Sequence, residues 1–335
     1  MDVSGDGRIV LGRTYIAYIA NASQTIGLLW SIGNIEPLFG LSGGWFAMPE
    51  TLSSDGSTAV GTLRFYSPTP PTPTRAATWT QGQGGFLPAL AGLTETRATA
   101  CSHYADVIVG SVGSFTQLDR PAIWRRSGIE ILTLPPDAIS GVATSVSGDG
   151  SVVAGAVTTS TAVKPFIYSS TQGVRVISGY AFRTVISGNG AVMIGMFDPP
   201  SGTRRGFIWT PRMGYMDLYE YALAAGVDLS YIKSMVPVDI SHDGTSIAGY
   251  LTHNGGIRAF RLSQLRPWDL CPADLNADSV VDDADFVIFV AAYDTLLCAS
   301  ETMAVGCPSD LNGDAAVDDV DFVLFANAYD ALRCL

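Results

Sequence analysis

The chain is 335 residues long, 47% hydrophobic and 15% charged, and carries a formal net charge of −12. This length accommodates one large core beside a smaller module. No basic cluster points to nucleic acid, and no run of about 18 apolar residues is present to cross a membrane as a helix.

In chain order, a ten-residue theme comes first: VSGDGRIVLG, LSSDGSTAVG, VSGDGSVVAG, ISGNGAVMIG and ISHDGTSIAG, with a degenerate CSHYADVIVG. The copies start at Val3, Leu52, Cys101, Val146, Ile186 and Ile240, which lie 49, 49, 45, 40 and 54 residues apart. Asp-Gly or Asn-Gly between two apolar runs is a strong hairpin signal, because both central residues of the tightest turns need positive φ. The Ser two places before the Asp can bond back to the turn backbone. The final Gly marks a place where strands crowd.

A second theme follows each hairpin, an aromatic residue inside a strand. IGLLWS, RAATWT, PAIWRRS and RGFIWT place Trp30, Trp79, Trp124 and Trp209 at one repeat position, with KPFIYSS and IRAFRL as variants. This regularity reads as core between repeats rather than as a platform for stacking carbohydrate. A short closing strand comes next, such as IEILTL or YMDL, although none is evident after IRAFRL. Six such units of about 45 residues, each of four short strands, predict a mainly β chain forming a six-bladed β-propeller. Residues 67–74, SPTPPTPT, form a stiff surface insertion. The pairing of an S-x-D-G hairpin with an aromatic strand resembles the HAF-repeat family of extracellular proteins over residues 1–265. Residues 217–235 are similar to the helical insertion that family places before its last unit.

Nothing in this body marks a catalyst. Its five glutamates, Glu36, Glu50, Glu95, Glu130 and Glu220, recur in no motif, and Asp6, Asp55, Asp149 and Asp243 are turn formers. His103 and His242 fall at the same turn position, His253 is the third histidine, and no G-x-S-x-G, H-E-x-x-H or phosphate-loop pattern is present. No catalytic residue is assigned.

Two near copies of 28 residues follow, starting at Cys271 and Cys307. An EF-hand-type loop puts oxygen ligands at positions 1, 3, 5, 7 (a carbonyl), 9 and 12. The first copy supplies Asp274, Asn276, Asp278, the carbonyl of Val280, Asp282 and Asp285. The second supplies Asp310, Asn312, Asp314, the carbonyl of Ala316, Asp318 and Asp321. Two Ca²⁺ ions are expected. Val281 and Val317 are the apolar eighth positions, and a helix from about Asp285 to Leu297 carries Phe286, Phe289, Val290, Tyr293 and Leu297 on one stripe. Ser279 and Ala315 stand at position 6, where Gly is usual because the backbone turns sharply. Residues 271–335 hold 13 acidic residues and one basic, Arg333, so the whole net charge of −12 sits here. Two bound Ca²⁺ would offset a third of it.

The duplicated D-x-N-x-D-x-x-V-D-x-x-D pattern resembles type I dockerins, and its flanking cysteines resemble the GC-type dockerin, over residues 268–335. The resemblance implies a small calcium-folded all-α anchor that binds a cohesin-like or cell-envelope protein. It also implies that loop positions 10 and 11, Asp283–Ala284 and Asp319–Val320, choose the partner. These lack the Ser/Thr of familiar dockerins, so the partner differs from a standard type I cohesin.

Four of the five cysteines sit at matching places in the two copies, which implies disulfides and an oxidising compartment. Each helix is roughly 18–20 Å long, too long to bridge cysteines at its two ends, whose Cα atoms must approach within about 7 Å. Antiparallel packing of the copies favours Cys298–Cys307 and Cys271–Cys334. Cys101 is left as a small apolar residue.

The expected organisation is a propeller over residues 1–267 and a dockerin-like module over 268–335. The expected function is a non-catalytic extracellular binding or structural propeller, with a glycan or protein ligand, anchored through calcium. The alternative is a secreted carbohydrate-active enzyme targeted by the same module. The chain opens inside the repeat theme without a charged-then-apolar leader, so truncation of a secreted protein is expected; the alternative is that the N-terminal strand completes the last blade.

Overall fold

The computed structural model describes every residue except 1, 19–21, 42–44, 66–72, 115–116, 200–201, 212, 254, 264, 266–272, 274, 277–280, 299, 301, 305–306, 312–315 and 332–335. Most of the proline-rich insertion expected at residues 67–74 therefore lies outside the described residues. The chain packs as two compact units, Met1–Val185 and Ile186–Leu335.

In the first unit, each repeat folds as an antiparallel meander. Sheet one is β1 (Asp2–Val3), β2 (Val10–Tyr18), β3 (Ala22–Ser31) and β4 (Asn34–Leu38). Sheet two is β5 (Trp45–Leu52), β6 (Thr58–Phe65), β7 (Thr74–Thr80) and β8 (Gln83–Phe86). Sheet three is β9 (Glu95–Cys101), β10 (Ile108–Ser114), β11 (Gln117–Arg125) and β12 (Gly128–Ile131). Sheet four is β13 (Ala138–Val146), β14 (Val152–Thr159), β15 (Val163–Ser169) and β16 (Gly173–Val176).

Sheet five begins at the unit boundary with β17 (Arg183–Ile186) and continues through β18 (Met193–Phe197), β19 (Arg205–Thr210) and β20 (Gly214–Asp217). Helix α1 (Leu218–Ala224) follows, its first turn capped by the Asp217 carboxylate, which accepts from Tyr219 N–H. Sheet six has three strands, β21 (Ile232–Ile240), β22 (Ile247–His253) and β23 (Gly256–Leu262). Helices α2 (Asp283–Tyr293) and α3 (Asp319–Ala331) come last.

The hairpin turns are wider than expected. Gly7, Gly56, Gly150, Gly190 and Gly244 have φ of 73–77°, whereas the preceding Asp or Asn keeps negative φ. The reason is a four-residue loop in which each Gly N–H donates to the Ser carbonyl three places back, as Gly56 does to Ser53 at 2.8 Å. The Ser side chain organises the rest. Ser147 Oγ donates to Asp149 Oδ1 (2.5 Å) and accepts from Val152 N–H (3.0 Å), and the other copies repeat this pair of bonds. In the degenerate copy Ala105 takes the Gly place at φ 57°, and Ser102 still accepts from Val107 N–H. The turns also stitch neighbouring sheets together: Gly5 N–H bonds Ser54 O, Ser54 N–H bonds His103 O, and His103 N–H bonds Gly148 O.

Burial opposes ionisation of Asp149, but the bonds from Ser147 and Ser151 outweigh it and hold the carboxyl below its ordinary 3.8. Bonds from Ser4 and Ser241 lower Asp6 and Asp243. A folded-state pKa below the unfolded one means the contribution is complete above 3.8 and is lost as pH falls below it. Asn189 fills the same role uncharged, accepting from Ser187 Oγ at 2.6 Å. Asp149→Asn is therefore expected to leave the melting temperature at neutral pH nearly unchanged and to make its fall between roughly pH 4 and pH 2 shallower. Thermal melts across that range check it.

The strand-ending glycines serve a bulge. A Cβ on Gly110 would sit 1.9 Å from Arg97 O, and one on Gly155 2.3 Å from Val142 O, where β9 and β13 slip register. Between sheets, Trp79 is fully buried and donates its indole N–H to Phe39 O (3.0 Å), just past β4. Trp124 makes the same bond to Pro88 O (2.8 Å), past β8. Trp209 is 3% exposed, but Trp30 is 52% exposed. The expectation that this position is core thus holds for three of four.

Candidate functional site

The C-terminal loop–helix pair is the most chemically specific part of the chain. Of the expected ligands, Asn276, Asp282, Asp285, Asp310, Ala316, Asp318 and Asp321 are described. Asp274, Asp278, Val280, Asn312 and Asp314 lie outside the described residues, as do Ser279 and Ala315.

Each loop is closed by its last carboxylate. Asp285, fully buried, accepts on Oδ1 from Leu275 N–H (2.5 Å) and Asn276 N–H (2.8 Å), and on Oδ2 from Asp282 N–H (2.9 Å). Asp321, equally buried, accepts from Leu311 N–H (2.6 Å) and Asp318 N–H (2.9 Å). The ninth-position residues cap the helices: Asp282 accepts from Ala284 N–H (2.8 Å) and Asp318 from Val320 N–H (2.8 Å). One residue thus ties the second, third and ninth loop positions to the start of a helix.

The copies meet about an approximate two-fold axis. Phe289 and Phe325 stack with centroids 4.9 Å apart, flanked by reciprocal Phe286–Phe325 and Phe289–Phe322 contacts at 6.1 Å. Val281 and Val317 are fully buried in the same cluster. Tyr293 donates to Asp319 and Tyr329 to Asp283, each hydroxyl reaching the tenth loop position of the other copy. Those two aspartates carry the partner-choosing expectation, and this bond between copies is what sequence reasoning missed. Its signal was the Tyr at one place in both repeats. Ala284 and Val320 are exposed beside them.

Helix α2 ends at Tyr293, earlier than expected, because the chain turns through Asp294 and Thr295 so that Leu297 forms a bridge with Ala316 of the other loop. The early turn brings Cys298 to Cys307, whose Cα atoms lie 5.3 Å apart in a disulfide, as expected from antiparallel packing. Cys271 and Cys334 lie outside the described residues. Burial, with the charges of Asp2 and Asp55 adding to it, pushes the Cys101 thiol up to about 12, which makes it a poor nucleophile.

The donors suit a hard divalent cation, since carboxylate, amide and carbonyl oxygens are the ligands calcium takes. Among the described residues, Asp285 Oδ1 accepts from two amides and Oδ2 from one, so Oδ2 is the oxygen with the fewer donors. Among the described residues no basic side chain faces this buried carboxylate, and its amide bonds offset part of the cost of burying it.

Between sheets two and three lies a cleft of about 470 Å³, lined by Glu50, Arg64, Thr74, Glu95, Arg97 and Asp119 among others. Its carboxylates are engaged. Glu50 pairs with Arg13 (2.7 Å), Glu95 accepts from both the amide and the hydroxyl of Thr74, and Asp119 faces Arg97 at 3.7 Å. These six residues come from five strands and repeat nowhere, so no local pattern marked them.

No family model matches the chain, and no curated protein matches it. Solved structures do. TolB from Acinetobacter baumannii superposes with a TM-score of 0.50 at 12% identity, over 78% of this chain and 62% of TolB. Oligogalacturonate lyase from Vibrio parahaemolyticus gives 0.50 at 10% identity, over 79% of this chain and 76% of the lyase. The body of this chain is a six-bladed β-propeller. At such identities the likeness extends to the fold alone, and the chain spans less than two thirds of TolB. The sheets described above are the propeller's blades.

Proposed function

We propose that the propeller is a non-catalytic extracellular binding or structural module, held to a cohesin-like or cell-envelope protein by a calcium-dependent dockerin-like module. The observation that carries this reading is the matched pair of buried loop-closing carboxylates, Asp285 and Asp321, in copies related by a two-fold axis. A solvated acidic tail would leave its carboxylates exposed, whereas here the same loop position is buried in both copies. Extracellular placement draws support from the Cys298–Cys307 disulfide.

The second reading, a carbohydrate-active enzyme, draws on the carboxylates of the cleft. Glycoside hydrolysis needs one carboxyl free to protonate and another free to attack or to activate water. Glu95 spends both oxygens on Thr74 and Glu50 is held by Arg13, so the geometry favours the binding module.

The test is a capture experiment with the full oxidised chain immobilised in calcium and exposed to a cell-envelope fraction. The expected result is a partner that is retained in calcium, released by chelator and not retained by the Asp282→Ala, Asp318→Ala double variant. Retention indifferent to calcium, or release of reducing ends from a polysaccharide panel, would count against the reading.

A further inference from the structure

Blade three departs from its sisters at one register place, and that place lines the cleft. One residue past the strand-ending glycine, the second strand pairs with Met48 in blade two, Val142 in blade four and Val236 in blade six. In blade three the partner is Arg97. The repeat puts an apolar residue there, so the arginine serves something other than the packing the blades share. Breaks of this kind in a local rule are where functional sites are found.

The groups around Arg97 are poised rather than paired. Its guanidinium stands 3.7 Å from Asp119, beyond hydrogen-bonding distance, and the two side chains are 52% and 34% exposed. Among the described residues neither side chain makes a hydrogen bond, so donors and acceptors lie side by side in the cleft wall. Thr62 lines the same cleft and is only 7% exposed, and its hydroxyl has no partner among the described residues. A hydroxyl so enclosed is costly to leave unbonded, which calls for a partner entering from the cleft. The other acids are held, Glu50 by Arg13 and Glu95 by Thr74.

This set favours a neutral ligand rich in hydroxyls. An anion seated on Arg97 would meet the charge of Asp119 beside it. An ammonium brings three donors, and Asp119 alone is left to meet them. Adjacent hydroxyls suit both groups at once: one donates to Asp119 while its neighbour accepts from Arg97. Met48 adds an apolar wall for the C–H face of a ring. The volume of about 470 Å³ falls within the roughly 300–1,000 Å³ of small-ligand sites.

We propose that this cleft is the ligand site of the propeller and takes a neutral sugar unit of a glycan, with a vicinal diol bridging Arg97 and Asp119 and a further polar group of the ring bonded to Thr62. The proposal rests on the reading of the propeller as a non-catalytic binding module and gives that module its ligand class.

The probe is a printed array of neutral and uronate-bearing oligosaccharides, read with the labelled, oxidised full chain. The most strongly retained neutral member is then titrated by calorimetry. Retention of neutral members is expected in calcium and in chelator alike, since the cleft lies within the blades. Arg97→Val, which installs the residue of blade four, and Asp119→Ala should each weaken the titrated glycan by at least about tenfold, the size of one hydrogen bond to a charged group. Both side chains are partly exposed, so circular dichroism and melting of the variants should match the parent. Three results would overturn the proposal: no neutral glycan retained, retention of uronate-bearing members only, or Arg97→Val binding as the parent does. Both variants should keep the calcium-dependent capture of an envelope partner. Loss of glycan binding with capture intact therefore sinks this site alone, and loss of capture with glycan binding intact sinks the anchor alone.

Discussion

Replacing Asp285 by Ala is expected to melt the C-terminal module and to abolish tight calcium binding by the whole chain. The carboxylate accepts three backbone amides in a fully buried position. Leaving a buried donor without an acceptor costs about 1–3 kcal/mol, so three amides amount to about 3 kcal/mol or more. A module of this size has little stability in reserve. At 1.4 kcal/mol per factor of ten, calcium affinity should fall at least about 100-fold. Asp285→Asn is the finer probe. Its amide oxygen can still accept from Leu275 and Asn276, but its NH₂ would face the Asp282 N–H, donor against donor. It should therefore be nearly as damaging as Ala. Calcium titration with hydrogen exchange on α2 and α3 checks both. Asp321→Ala should behave alike, because the second copy repeats the same bonds.

Trp79→Ala should cost about 3–5 kcal/mol of propeller stability, while Trp30→Ala should change it by no more than about 0.5 kcal/mol. The two residues hold the same repeat position. Trp79 is fully buried among Leu38, Leu63 and Ala77, and its indole N–H anchors the Phe39 carbonyl beyond β4. Truncation leaves both a cavity and an unpaired carbonyl. Trp30 is 52% exposed. Urea denaturation of the two variants beside the parent measures the difference, and equal costs would contradict the assignment of Trp79 to the core between blades.

The blades were readable because a Ser-x-Asp-Gly turn and an aromatic strand recur, and each copy folds by the same local bonds. Ser147, Asp149 and Gly150 lie within four residues of one another, so their chemistry is local and visible. The turn type was not, since Asp-Gly serves two-residue and four-residue loops and the closing Ser bond decides between them. The fate of Trp30 was also hidden, because burial depends on what lies beyond the blade rather than on the repeat. In the module, ligand spacing is a property of one short loop and survives in the sequence. The Tyr293–Asp319 and Tyr329–Asp283 bonds join residues 26 and 46 positions apart. They could be drawn only once the two helices were placed side by side. The cleft at Glu95 and Asp119 is less legible still, since its residues converge from separate strands.

The most direct measurement is calorimetric titration of calcium into the chelator-stripped, oxidised full chain. The account predicts two ions bound per chain, with hydrogen exchange across α2 and α3 slowing as they bind. No saturable heat up to about 1 mM calcium, with both helices equally protected throughout, would contradict it.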